Sequence, residues 1–169
     1  NLIGKFKNEV KRQGALPFVR HHNIKYGGQF PIWVAVELFT FGMLGSLFDL
    51  MRENDQRAVS REYNLSPESL SRLIASAVDV RNICAHYNRL YNRVLDDQPL
   101  LPNRLRLYES DRLFPLLLAF AHILGRERVL NRLITGLSLL EADFPEADLS
   151  LCGFPEDWRS ILEAEAAQS

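Results

Sequence analysis

With 169 residues the chain is long enough to bury a hydrophobic core without help from disulfides or metal, and the simplest organisation is one helical domain over 1–169. Hydrophobic residues at 47% and charged residues at 24% make an ordinary globular composition and exclude general disorder. The net charge of -1 gives no overall attraction to a polyanion, yet it hides an asymmetry: residues 1–25 carry Lys5, Lys7, Lys11, Arg12, Arg20 and Lys25 against Glu9, whereas 141–165 are acidic apart from Arg159.

Cys84 and Cys152 are too few and too far apart for a disulfide framework or a zinc-ligand set, so a reducing cytoplasm is expected, with no metal and no cofactor. The apolar stretch from Pro31 to Leu50 is interrupted by Glu37, Gly42, Gly45 and Asp49, and nothing at the amino end resembles a signal peptide, so no membrane association is expected. The chain opens on Asn1 inside a segment already helical in pattern, which points to a longer parent protein of which this is the C-terminal part.

In chain order, residues 2–12 read as a short basic helix, Gly14 and Pro17 interrupt the segment after it, and His21 to Phe30 reads as a loop. His21 and His22 are adjacent and point in different directions on any regular element, which favours a loop role over a paired metal site. Pro31 suits a helix's first turn, and Ile32 to Met51, apolar on all sides, is expected to be the central buried helix. Glu37 within it either pairs with an Arg or His of the helix that carries Arg81 and His86 or faces solvent. Asp55 to Tyr63 is a short helix closed by Asn64 and Leu65. Ser66 is an N-cap, with Pro67 at the first helical position and Glu68 beside the positive dipole end, and a long helix should run towards Val94. Asp96 to Pro102 is a turn-rich break, and Pro115 kinks or starts the next apolar segment. Gly125 separates that segment from a helix over Arg126 to Leu140, and a last helix from Pro155 to about Ala166 carries Trp158, Ile161 and Leu162. No alternating strand pattern of useful length occurs, and the fold class is all-α, a helical bundle.

The chemistry concentrates between Val80 and Val94. On a wheel at about 100° per residue, Val80, Ile83, Cys84, Tyr87, Leu90, Tyr91 and Val94 fall on one side, and Arg81, Asn82, His86, Arg89 and Arg93 on the other. No acid lies between Arg81 and Val94, whereas a solvated face would mix in acids at i,i+4 spacing. Such a face suits a phosphodiester: Arg offers a planar fork of donors to phosphate oxygens, and His titrates near neutrality. RNA supplies its own nucleophile in the 2′-hydroxyl, so a positioned base, an acid and a cationic clamp suffice, leaving a 2′,3′-cyclic phosphate and a 5′-hydroxyl. One His cannot easily serve as base and acid on opposite sides of phosphorus, and two copies of the motif across a homodimer interface would solve that. Arg81, Asn82 and His86 are therefore the candidate catalytic residues, and Arg89 and Arg93 the candidate RNA contacts. Asn82 is either a surface residue or a holder of the His86 imidazole one turn on. Arg89 and Arg93 could equally serve surface salt bridges, and Tyr87 and Tyr91 are expected in the core rather than as base-stacking platforms.

Arg81-Asn82-Ile83-Cys84-Ala85-His86 resembles the Arg-x-x-x-x-His signature of HEPN domains, with a polar residue after the Arg as in their ribonuclease members. Together with Pro31-Ile32-Trp33-Val34-Ala35-Val36-Glu37 leading into Phe41-Gly42, with Arg89-Leu90-Tyr91-Asn92-Arg93, and with His22 and Lys25-Tyr26, it is similar to Abi-like (abortive infection, AbiD/AbiF type) bacterial phage-defence proteins over roughly residues 21–93. The resemblance implies a HEPN-like helical bundle, dimerisation, RNase activity with Arg81 and His86 in the catalytic positions, and association with a non-coding RNA. Three functions fit the residues: a metal-independent endoribonuclease, a non-catalytic RNA-binding or RNA-regulated module using the same cationic face, and a helical protein-interaction domain in which Arg81 and His86 satisfy a helix junction.

Overall fold

The computed structural model of the chain describes residues 1–124 and 127–167. Among them there is no strand, and the fold is all-α, as the patterning predicts. No helix among the described residues is long and apolar enough to cross a membrane. The chain forms two compact units, Asn1–Gln56 and Arg57–Ser169.

In the first unit, α1 spans Leu2–Arg12, capped by the Asn1 side chain, which accepts a hydrogen bond from the Ile3 N–H at 3.1 Å. Lys11 and Arg12 fall in its last turn, at the negative end of the dipole. The expected loop from His21 to Phe30 is corrected for its first half, because α2 spans Pro17–Lys25. Pro17 starts this helix rather than interrupting one, its fixed φ being suited to a first turn. The helix gives way at Tyr26 to Gly27 and Gly28, whose φ of 59° and 77° glycine adopts freely.

The expected central helix from Ile32 to Met51 is also corrected. It divides into a short α3 (Ile32–Ala35), a 3-10 turn over Val36–Leu38 and α4 (Phe41–Asp49). Phe39 is extended, and Thr40 opens a new helix by accepting from the Met43 N–H at 3.3 Å. Gly42 and Gly45 further weaken a continuous helix here. The apolar residues of the segment are accordingly divided between interior and surface. Ala35, Leu38, Met43 and Phe48 are buried with Val19, while Ile32, Trp33, Leu44 and Leu50 are exposed. Phe6 on α1 meets Phe30 and Phe39 edge-on, at 5.6 and 5.8 Å between ring centroids. Glu37 is exposed, so its carboxylate bears no burial cost.

The second-unit elements follow α5 (Glu53–Arg61), within which the boundary between the units falls. Asn64 takes a left-handed φ of 54° after it. Ser66 and Pro67 then act as predicted: α6 spans Pro67–Ala85, and the Ser66 hydroxyl accepts from the Ser69 N–H at 3.0 Å. Three further helices follow, α7 (Leu113–Leu124), α8 (Glu127–Asp143) and α9 (Trp158–Ala167). Gly125, the expected separator of α7 and α8, lies outside the described residues. Helix α9 packs on α7 and α8, and α6 on α7, around a core that includes Leu73, Phe114, Leu118, Leu130, Trp158 and Leu162. Aromatic rings link its parts, Phe114 to Phe154 at 5.0 Å and Phe154 edge-on to Trp158 at 5.7 Å. On α6 the buried Ser76 hydroxyl lies 2.9 Å from both the Arg72 and the Asp97 carbonyl oxygens, which ties the loop after the helix back to its middle.

A charged group also enters this core. Glu165 on α9 is only 3% exposed and accepts a forked hydrogen bond from Arg104, with Nη2 to Oε2 at 2.8 Å; the His122 Nδ1 on α7 lies 3.6 Å from the same oxygen. The Glu165 bond holds the Arg104 guanidinium above its ordinary pKa. Because Arg104 is 43% exposed and Glu165 is not, losing either partner has unequal consequences. Arg104→Ala should cost about 3–5 kcal/mol by leaving an interior carboxylate without its guanidinium. Glu165→Ala should cost less, about 1–3 kcal/mol, since the freed guanidinium can turn to water. Urea unfolding of the two variants checks the order, and equal losses would contradict it.

Candidate functional site

Arg81 and Asn82 lie in the last turns of α6, and His86 is its C-cap residue. All three are exposed, as the wheel predicts for the polar side. The expected continuation of the helix to Val94 is not present. Instead the chain reverses: the His86 N–H donates to the Asn82 carbonyl at 3.1 Å, Tyr87 to Cys84 at 3.1 Å and Asn88 to Ile83 at 3.0 Å. The pair of back-bonds from the two residues after the cap is a Schellman closure, and it requires a left-handed residue at Tyr87, whose φ is 53°.

Five positions of ideal helix would set Arg81 and His86 about 140° apart, whereas Asn82 is about 40° from His86. The Arg81 guanidinium donates through Nη1 to the Asn82 Oδ1 at 3.0 Å. Of the two roles considered from the sequence, Asn82 takes the surface one: it is exposed, its side chain accepts from Arg81, and its backbone carbonyl accepts from the His86 amide. Among the described residues neither Arg81, Arg89 nor Arg93 forms an ion pair, and the His86 ring has no hydrogen bond. The site thus offers a cation and an imidazole to solvent with their donors and acceptors uncommitted to acids. Such groups can bind a phosphate oxygen and exchange a proton.

Arg89 and Arg93 are exposed but lie beyond the helix, so their alignment with Arg81 and His86 on one helical face is corrected. A turn closed by the Arg93 N–H on the Leu90 carbonyl at 3.2 Å carries the second of them. The placement of the tyrosines in the core is corrected as well. Tyr87 is 98% exposed, and Tyr91 is 39% exposed with its hydroxyl donating to the Asp148 carbonyl at 3.3 Å and accepting from the Asp148 N–H at 3.0 Å. Cys84, placed on the apolar side by the wheel, is exposed, while Ile83 is buried.

His21 and His22 lie on α2 and line different grooves, but their rings meet edge-on at 5.7 Å between centroids and both meet the Tyr26 ring, so the expected divergence of the adjacent side chains is corrected. No local pattern in the residue order marks the Arg104, His122 and Glu165 cluster, whose members are separated along the chain and assembled by packing. Among the described residues no group of three His, Cys, Asp or Glu side chains is arranged to hold a metal ion.

A family model described as Abi-like protein matches residues 1–92, a little over half of the chain, and takes in the Trp33 to Glu37 block, Arg81 and His86. No curated protein and no solved structure matches the chain significantly.

The left-handed Tyr87 makes the helix end a site of measurable strain, about 1–2 kcal/mol for a residue bearing a Cβ. Since its side chain is almost wholly exposed, replacement removes no packing. Tyr87→Gly should therefore stabilise the fold by about 1 kcal/mol, raising the melting temperature by about 2–4 °C, with Tyr87→Asn intermediate. Calorimetry on the three proteins checks the order, and an unchanged or lower midpoint for glycine would contradict it.

Proposed function

The chain belongs to the Abi-like protein family, and from that premise we propose that it is a metal-independent endoribonuclease of bacterial phage defence, acting in the cytoplasm as a homodimer of the HEPN type. The observation that carries the reading is the state of Arg81 and His86: both exposed at the end of one helix, with no acid engaging either among the described residues. A purely structural pair at a helix junction would be buried or internally bonded. Here, among the described residues, the side-chain bonding of the pair is confined to the bond from Arg81 to Asn82, which orients the guanidinium and leaves most of its donors open.

In this reading the Arg81 guanidinium holds the non-bridging oxygens of the scissile phosphate and stabilises the charge that builds on them. His86 takes the proton from the 2′-hydroxyl as that oxygen attacks phosphorus. The His86 of a second copy gives a proton to the departing 5′-oxygen, the division of labour that a two-fold interface provides. The P–O5′ bond breaks, and a 2′,3′-cyclic phosphate and a 5′-hydroxyl remain. Asn82 serves by positioning Arg81. Arg89 and Arg93 contact RNA from the segment after the helix, and a bound non-coding RNA is a further expected partner.

Arg81→Ala and His86→Ala should each lower RNA cleavage at least about 100-fold while shifting stability by no more than about 0.5 kcal/mol. Asn82→Ala should lower it less. Cleavage should persist in EDTA, because the 2′-hydroxyl needs no metal-bound water, and 2′-O-methyl RNA and DNA should resist. End-group analysis of the products, run on all three substrates, decides the mechanism: comparable cleavage of DNA or methylated RNA would refute it.

The dimer is tested separately. Sedimentation should show concentration-dependent association, and a monomer at high micromolar concentration would remove the proton-sharing scheme.

A further inference from the structure

Helix α2 borders two open grooves whose linings differ in chemistry. One, of about 560 Å³, is lined by His22, Tyr26, Gln29, Phe30 and Trp33 among others. The other, of about 390 Å³, is lined by residues that include Arg20, His21, Ile24 and Lys25. Both belong to the first compact unit.

The first groove exposes flat apolar surface to water. Trp33 is 72% exposed and Tyr26 48%, an arrangement with a hydrophobic cost that nothing in the local fold requires. Its inner wall is built rather than loose. The His22 ring stacks on Phe30, with centroids 5.0 Å apart and planes 16° from parallel, and His22 Nδ1 lies 2.8 Å from the Phe18 carbonyl oxygen. A carbonyl only accepts, so Nδ1 is the donor of that bond. Gln29 adds an amide donor and acceptor to the lining. Flat rings with hydrogen-bonding edges suit a planar heterocycle.

The second groove supplies charge. Among the described residues neither Arg20 nor Lys25 forms an ion pair, and α1 adds exposed Lys5, Lys7 and Lys11 to the same unit. The Lys25 ammonium lies 5.6 Å from the Tyr26 ring centroid, so cation and aromatic surface adjoin. Glu9, the one acid in the first 25 residues, is already engaged by Arg12 and Gln13, and the Arg12 hydrogen bond lowers its pKa. Aromatic platforms beside an uncompensated cationic track are what a single nucleic-acid strand needs, with bases for the rings and phosphates for the cations. A proline-rich peptide would use the aromatic groove but give the cations nothing to bind.

We infer that α2 and residues 29–34 form a binding site for an unpaired nucleotide of a single-stranded nucleic acid, its base stacked on Tyr26 and Trp33 and its phosphates held by Arg20 and Lys25. The site is distinct from Arg81 and His86 and does not depend on cleavage.

The test titrates the full chain with single-stranded 2′-O-methyl oligonucleotides of uridine and of adenosine, a matched duplex and a proline-rich peptide. Methylation blocks the internal nucleophile, so binding is read without cleavage. Trp158 is buried at 4% exposure, so emission that responds to the strand reports Trp33. The single strands should quench it. Trp33→Ala and Tyr26→Ala, followed by anisotropy, should each weaken binding roughly 5- to 150-fold, as loss of one stacked base implies, and Trp33→Phe should retain most of the affinity. Arg20→Ala with Lys25→Ala should reduce the slope of log K against log salt by about 1.4, roughly 0.7 for each phosphate, whereas Trp33→Ala should leave the slope unchanged. Undiminished binding by Trp33→Ala, tighter binding of duplex, or quenching by the peptide and not by the strands would overturn the inference. RNA cleavage without Trp33 quenching would overturn it while sparing the cleavage reading, and quenching without cleavage would support it alone.

Discussion

The constraint on which the second unit's organisation rests is the reversal of the chain at the end of α6. Two backbone amides, Tyr87 and Asn88, turn back to the carbonyls of Cys84 and Ile83, and they reach them only because Tyr87 accepts a left-handed backbone. Gly is the ordinary residue at such a position, so a strained Tyr must be held in place by its downstream neighbours. Residues 91–95 supply that hold. Tyr91 bonds the backbone of Asp148 in both directions, the Asn92 N–H meets the Cys152 sulfur at 3.4 Å, and the Arg112 guanidinium donates to the Asn92 side chain at 2.9 Å. The Leu95 N–H reaches the Asp111 carbonyl at 2.8 Å as its side chain is buried. The helix stops at His86 because the chain beyond it has better partners elsewhere.

That stop defines what the candidate site can be. A helix running on to Val94 would have laid a five-residue polar face, three of them Arg, along one surface. The observed end confines the helical part of the site to Arg81, Asn82 and His86 and hands Arg89 and Arg93 to a separately anchored segment. The backbone closure at Ala85 to Asn88 also fixes the backbone of His86 relative to α6.

Charge is used in two opposite ways in the molecule. Arg104 and Glu165 neutralise each other where α9 meets the core, the carboxylate buried and the guanidinium half-exposed. Arg81, with Arg20 and Lys25 in the first unit, stands in solvent without an acid among the described residues. Cations left unpaired on a chain whose net charge is near zero make local positive features that the overall charge does not reveal.

Much of this was legible in the residue order, because its causes are local. Apolar spacing gave the all-α class, Ser66 with Pro67 marked the start of α6, and the polar side of the wheel put Arg81 and His86 in solvent. The spacing of Arg81 and His86, with the Trp33 to Glu37 block, sufficed for the resemblance to Abi-like proteins, which the match over 1–92 bears out. Only the tertiary structure could decide where α6 ends, since no Gly or Pro stands at Tyr87 and the competing bonds come from residues near 111, 148 and 152. It also decided that the apolar run after Pro31 breaks at Thr40, where one side-chain cap outweighs continuous hydrophobicity. Arg104 and Glu165, 61 positions apart, became partners for the same reason. Periodicity and capping act within a few residues and are written in sequence order, whereas a buried carboxylate, a left-handed tyrosine or a helix end held from afar depends on contacts that exist only once the chain has packed.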